Sequence, residues 1–205
     1  MAVSTLEIWN AALSTVGQRA DISDYNESTV VAKQCRQFYP LALRTCLSFH
    51  PWSFATSRVA MPIVEAETFG WRFAYVAPPE ELKIFYVIPK DEKGIDKNDY
   101  PFEMRMTPTF DQKLILTDVE RASCLYTISL PQTGTRWFSP PFENALIVLL
   151  ASYITGVTEK GQSGMNGKAQ LYQMYTALIQ EAANMDAQQS RGKPSFTPSW
   201  LAARR

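Results

Sequence analysis

The sequence predicts an α+β protein: a bundle of about four helices, an inserted and mostly antiparallel β region, and an extended C-terminal arm. Three observations carry this. Apolar residues recur at helical spacing over about 4–50 and 140–189. Between them, over about 53–138, short aromatic and β-branched runs alternate with Pro, Gly and Asp clusters, which is the texture of strands and turns. From 190 onward the periodicity stops, while prolines and isolated aromatics remain. The expected division is 1–52 with 139–189 as a helical domain, 53–138 as a β-rich insert, and 190–205 as the arm.

Ser4 and Glu7 form a capping-box pair, so the first helix starts there. Leu6, Trp9, Asn10, Leu13 and Val16 follow at helical spacing, and Gly17 is a natural stop. Asp21, Ser23, Asp24 and Asn26 make a polar turn. A second helix is expected from near Glu27 to about Phe49, with Val31, Cys35, Phe38, Ala42 and Cys46 on one face. Pro40 lies inside it and predicts a kink or short break, because proline removes a donor and crowds the preceding turn. Pro51 ends the helix.

Strands are expected at 53–60, 72–76, 82–88, 102–106, 113–117 and 123–129, close enough together for antiparallel pairing. Arg105 and Met106 before Thr107-Pro108 mark an outer edge, and Asp91 to Asp99 a charged turn around Gly94. Pro140-Pro141 opens the third helix, with proline well placed in a first turn. Phe142, Ala145, Leu146, Ile147, Val148, Leu149, Leu150 and Ala151 make it apolar nearly all round. Such a helix is buried on all sides, and part of that burial is expected from a neighbouring subunit. Leu146, Leu149, Leu150 and Tyr153 are the candidate interface residues. A fourth helix, about 166–189, carries Leu171, Tyr175, Leu178 and Ala182 on one face, flanked by Tyr172 and Ile179.

The 205 residues are enough to bury a core without metals or disulfides. Twenty basic and 20 acidic side chains cancel, which gives no footprint of a sequence-specific nucleic-acid binder. Cys35, Cys46 and Cys124 form no C-x-x-C pair. On one straight helix Cys35 and Cys46 sit roughly 16 Å apart at about 1.5 Å per residue, too far to bridge. They are expected to be buried free thiols of a protein folded in a reducing cytoplasm. The N-terminus lacks the pattern of a signal peptide, and no apolar run is long enough for a bilayer, so a soluble protein is expected.

His50 is the one histidine, so any Ser-His-Asp or Cys-His site has to use it. Its place at a helix C-terminus is explained by the helix dipole, and one His with three scattered Cys gives no zinc spacing. Gly161-Gln-Ser-Gly-Met-Asn-Gly167-Lys168 is one residue too long for a phosphate loop, has no Ser or Thr after the Lys, and follows a helix instead of a strand. It reads as an interhelix loop. Glycoside hydrolysis needs two opposed carboxylates; any of the acidic pairs Glu65/Glu67, Glu80/Glu81, Asp91/Glu92 and Asp96/Asp99 could supply one, so the pairs single out no site and read as solvated turn charges. Trp52, Phe54, Phe69, Trp71, Phe73 and Tyr75 alternate as sheet core or interface would. No catalytic, metal or cofactor residue is therefore assigned. The arm is different: Arg191, Lys193, Arg204 and Arg205 surround the anchors Phe196 and Trp200, with Pro194 and Pro198 between. That is the chemistry of a docking peptide.

The order of a small-residue helix ending in Gly17, a long helix bearing Arg36 and Arg44, and a Trp52-x-Phe54 step into the first strand resembles the opening of the tail tubular protein A family, the head-to-tail adaptors of short-tailed bacteriophages. The resemblance covers residues 6–58, roughly a quarter of the chain. It returns in the third helix and in the arm, at Ser195-Phe196-Thr197 and Leu201. It implies a non-enzymatic virion protein of the tail, assembled in the host cytoplasm. Such a protein forms a homo-oligomeric ring, dodecameric in that family, between the portal protein and a tail nozzle protein of the tubular protein B kind. Double-stranded DNA passes through the channel, tail fibres attach outside, and no membrane is involved. In this reading the arm docks the portal. A tail-associated cell-wall hydrolase and a host-derived binding module with an antiparallel sheet are the alternatives.

Overall fold

The computed structural model describes residues 4–19, 21–91, 100–131, 134–158 and 162–189. Helix α1 (Thr5–Thr15) begins on the capping box: Glu7 N–H donates to Ser4 Oγ at 3.2 Å, and Ser4 N–H to Glu7 Oε2 at 2.5 Å. It ends where Gly17 turns left-handed at φ 70° and Gln18 N–H closes back on Leu13 O at 3.0 Å. A side chain at Gly17 meets open space but a strained backbone.

Helix α2 (Val30–Phe49) starts three residues later than the expected Glu27, with Thr29 Oγ1 capping Ala32 N–H at 3.3 Å. The carbonyls of Tyr25 and Glu27 are already engaged by the Arg36 guanidinium, and Asp24 folds 24–27 into a turn of its own. The break expected at Pro40 does not occur; the helix runs through it. Tyr39, Ala42 and Leu43 are buried on either side, and that packing offsets the one lost hydrogen bond. The buried face is Ala32, Cys35, Tyr39, Ala42, Leu43, Cys46 and Leu47.

Helix α3 (Pro140–Thr158) is the centre of the helical module, packed against α1, α2 and α4 (Gln162–Gln189). Phe142, Leu146, Leu149, Leu150 and Ile154 have no exposed surface within one chain. Three surrounding helices of the same chain therefore enclose the expected interface residues Leu146, Leu149 and Leu150, while Ile147 and Tyr153 stay partly exposed. Helix α4 starts at Gln162, not 166, so residues 162–168 of the glycine-rich stretch are helical and not a loop, while Gly161 lies outside the described residues. The glycines there cost up to about 1 kcal/mol each relative to alanine. The docking of Tyr175, Ile179, Ala182 and Ala183 against the module outweighs that cost.

Six strands lie between α2 and α3. They are β1 (Thr56–Ala60), β2 (Phe73–Val76), β3 (Glu81–Pro89), β4 (Phe102–Met106), β5 (Lys113–Thr117) and β6 (Ala122–Ile128). They form two three-stranded antiparallel sheets, ordered β1-β6-β3 and β2-β5-β4. Val59 faces Cys124 across β1 and β6, while β3 slips register near Leu82 and Phe85. The sheets share a core of Met61, Tyr75, Val87, Ile115, Ala122 and Cys124, and the Tyr75 hydroxyl donates to Val119 O at 2.8 Å. Strand β1 starts at Thr56 because residues 52–55 close a turn, with Ala55 N–H on Trp52 O at 3.0 Å. The outer side of the second sheet (Ala74, Leu114, Leu116) is covered by Val64, Ala66 and Trp71 from the segment before β2. Strand β4 is a sheet edge. Residues 92–99 of the expected charged turn, and the whole arm 190–205, lie outside the described residues. No described helix is long and apolar enough to cross a membrane.

Candidate assembly surfaces and the helix junction

The Trp52–Phe54 step is the joint between helices and sheets. Trp52 is fully buried, and its indole N–H donates to Cys46 O at 2.9 Å, closing the end of α2. Phe142 meets Trp52 edge-on at 4.9 Å and Phe54 at 5.1 Å, while Phe138 meets Phe54 at 5.6 Å. The chain thus leaves α2 and returns to α3 through one aromatic cluster.

Beside it, Asp186 of α4 reaches back to the same step. Its buried carboxylate accepts from Ser53 N–H at 3.0 Å and Ser53 Oγ at 2.7 Å, and lies 3.5 Å from His50 Nε2. The three residue types match a hydrolytic triad, but the order does not. The hydroxyl donates to the carboxylate directly instead of to the imidazole, so the imidazole is not set between them to take its proton. The cluster is a latch between the C-cap of α2 and α4.

Of the residues singled out by sequence, Leu146, Leu149 and Leu150 are interior, and Tyr153 is half-buried with its ring 6.2 Å from Phe38. The candidate arm residues Arg191, Lys193, Phe196, Trp200, Arg204 and Arg205 lie outside the described residues. Arg36 holds the 25–27 turn against α2. Arg44 is exposed and has no ion-pair partner among the described residues. All three thiols are free and buried, and burial pushes each up to about 12. Glu81 pairs with Lys113 at 2.6 Å across the gap between the sheets. Among the described residues no group of three or more His, Cys, Asp or Glu side chains could hold a metal ion.

Two surfaces escaped the sequence reading. The first is an open groove of about 870 Å³ between α2, α4 and the start of β3. Leu41, Arg44, Thr45, Ser48 and Phe49 line it from α2, at i, i+3, i+4, i+7 and i+8. Tyr172, Tyr175, Thr176 and Ile179 line it from α4, and Lys83 closes one side with its ammonium on Ser48 O at 2.9 Å. Leu41 (52%), Phe49 (43%) and Tyr172 (48%) are exposed in it, and no carboxylate lines it. The signal was present: Leu41 and Phe49 are apolar but lie off the buried stripe of α2.

The second surface is residues 62–71 on the outer sheet. Val64 N–H donates to Ala74 O at 2.9 Å, and Val76 N–H to Pro62 O at 3.0 Å, so the segment is held extended. Val64 and Ala66 point inward, while Ile63, Glu65, Glu67 and Phe69 are exposed. Phe69 sits left-handed at φ 50° before Gly70 at φ 96°, which fixes the turn that ends the row. The Glu65/Glu67 pair, read as turn charges, belongs to an acidic strip with an apolar residue at each end.

No family model and no curated protein matches this chain.

Proposed function

We propose that the protein is a structural head-to-tail adaptor of a short-tailed bacteriophage. In this reading copies of the chain form a ring, dodecameric as in the family it resembles. The ring joins the portal protein to a nozzle protein, lets double-stranded DNA through its channel, offers outer attachment for tail fibres, and performs no catalysis. The observation that carries it is the continuous passage from α1 through Gly17, the Arg36- and Arg44-bearing α2 and the Trp52–Phe54 step into β1, with the β region inserted between two pairs of helices. The Ser53–Asp186–His50 latch supports it from the other side, since the one histidine is spent on holding helices together.

The test is electron microscopy of the purified chain, alone and with the portal of its virion. Closed rings are expected, alone or on the portal. A chain that stays monomeric and never joins a portal would sink the reading. Truncation after Gln189 should leave a folded protein that binds the portal much more weakly, with Trp200→Ala intermediate. Zymography against peptidoglycan should be blank; a cleared band lost on changing one carboxylate would favour the hydrolase instead.

A further inference from the structure

We infer that the cationic groove between α2 and α4 receives the acidic strip 63–69 of a second copy of the chain. This rests on the ring reading and specifies its subunit contact.

The groove offers two cations, Arg44 and Lys83, beside three exposed apolar side chains, and carries no acid. The strip offers Glu65 and Glu67, neither in an ion pair among the described residues, between Ile63 (64% exposed) and Phe69 (61%), whose ring has Arg105, itself paired with Glu103, on one face at 5.4 Å. Part of the strip matches the trough in length: of the about 20 Å from Ile63 to Phe69 in an extended chain, Glu65 to Phe69 takes about 13 Å. Leu41 to Phe49 spans about 12 Å along α2. A row of alternate residues from an extended segment fits such a trough, with carboxylates toward the rim and Phe69 toward Tyr172 and Phe49.

The pairing is between copies. The strip is bonded onto β2, on the outer side of the second sheet, whereas the groove borders β3 of the first. The other segment with aromatic anchors, the arm 190–205, carries four basic residues and no acid, so Arg44 and Lys83 repel it. Because groove and strip are different surfaces, each copy gives one and takes one. Such a contact is head-to-tail, and it closes into a ring when the rotation per subunit permits.

Charge reversal on the full chain tests this by sedimentation velocity. Arg44→Glu with Lys83→Glu spoils the groove; Glu65→Lys with Glu67→Lys spoils the strip. Circular dichroism and melting confirm that each variant is folded; should the Lys83 change unfold the chain, Arg44→Glu alone takes its place. Each double variant should self-associate at least about tenfold more weakly than the parent, and the parent itself more weakly at high salt. Mixed in equal amounts, the two variants should associate again, because every junction then meets opposite charges. Reversals that assemble like the parent, or a mixture that stays apart, would overturn the pairing while leaving the ring reading standing. Loss of association on deleting 190–205 with silent reversals would hand the groove to the arm. A parent monomeric up to about 1 mM would also overturn the pairing; the ring reading falls with it only if that chain also never joins a portal.

Discussion

Removing the Asp186 carboxylate should loosen the joint between α2 and α4 by a measurable amount. Asp186→Ala deletes two hydrogen bonds to an ionised acceptor, from Ser53 N–H at 3.0 Å and Ser53 Oγ at 2.7 Å, along with the contact to His50 at 3.5 Å. A bond to a charged group contributes about 1.5–3 kcal/mol. The lower end applies, because Ser53 is exposed and its donors find water once the carboxylate is gone. Two such bonds give about 3 kcal/mol, and relief of one buried charge returns part of it, leaving a net loss of about 2–3 kcal/mol. For a domain of this size that lowers Tm by about 4–12 °C. Asp186→Asn keeps one acceptor oxygen and should cost about half as much. The assay is urea unfolding at pH 7, with thermal melting as a second probe. A loss under about 0.5 kcal/mol for Asp186→Ala would refute the latch. So would an Asn variant as weak as the Ala variant, since acceptor geometry would then not matter.

Burial that raises Cys35, Cys46 and Cys124 to about 12 leaves almost no thiolate at pH 8, so the native protein should resist a thiol-reactive dye that modifies all three in urea; fast reaction of any native thiol would contradict their burial. Leu149→Asp places an unpaired charge where no surface is exposed, and should yield an insoluble or molten chain; a soluble variant with the parental Tm would show that the site is not interior. The Asp111 carboxyl is held below its ordinary range by the hydroxyls of Thr107 and Thr109. Its folded value lies below its unfolded one, so its contribution is present above the ordinary carboxyl range and lost as pH falls through the lowered value. Asp111→Asn should therefore flatten the acid limb of the stability curve; an unchanged limb would count against that turn.

What could be read from sequence was local chemistry with one outcome. The Ser4/Glu7 box, the stop at Gly17, and the strands 102–106 and 113–117 came out at the expected residues, because each depends on neighbours within a few positions. The misses needed knowledge of distant partners. Pro40 is tolerated because buried residues on both sides pin α2, and α2 starts late because Arg36, well along the helix, occupies the carbonyls of the turn. The glycines at 164 and 167 are helical because the rest of α4 is docked. Among the assembly surfaces, periodicity located the all-apolar α3 but did not reveal that one chain already encloses Leu146, Leu149 and Leu150. The groove was invisible because its two walls are far apart in the chain, 131 residues from Leu41 to Tyr172.

The aromatic joint has a consequence for how such a protein changes over time. The chain departs at Phe54 and comes back at Phe138, where the two rings sit 5.6 Å apart. To the helices, everything between is a closed loop on a fixed stem. Lengthening such a loop is cheap, about 0.6 kcal/mol for each doubling. The six strands are therefore a graft site, replaceable by a different module while α1 to α4 keep their packing. The replacement is not silent, however. Leu82 and Lys83 reach from the graft onto the wall of the groove, and the strip 63–69 travels with it. Exchanging the graft would change both halves of the contact at once, so a lineage that acquires a new outer module also acquires a new rule for which copies it accepts as neighbours.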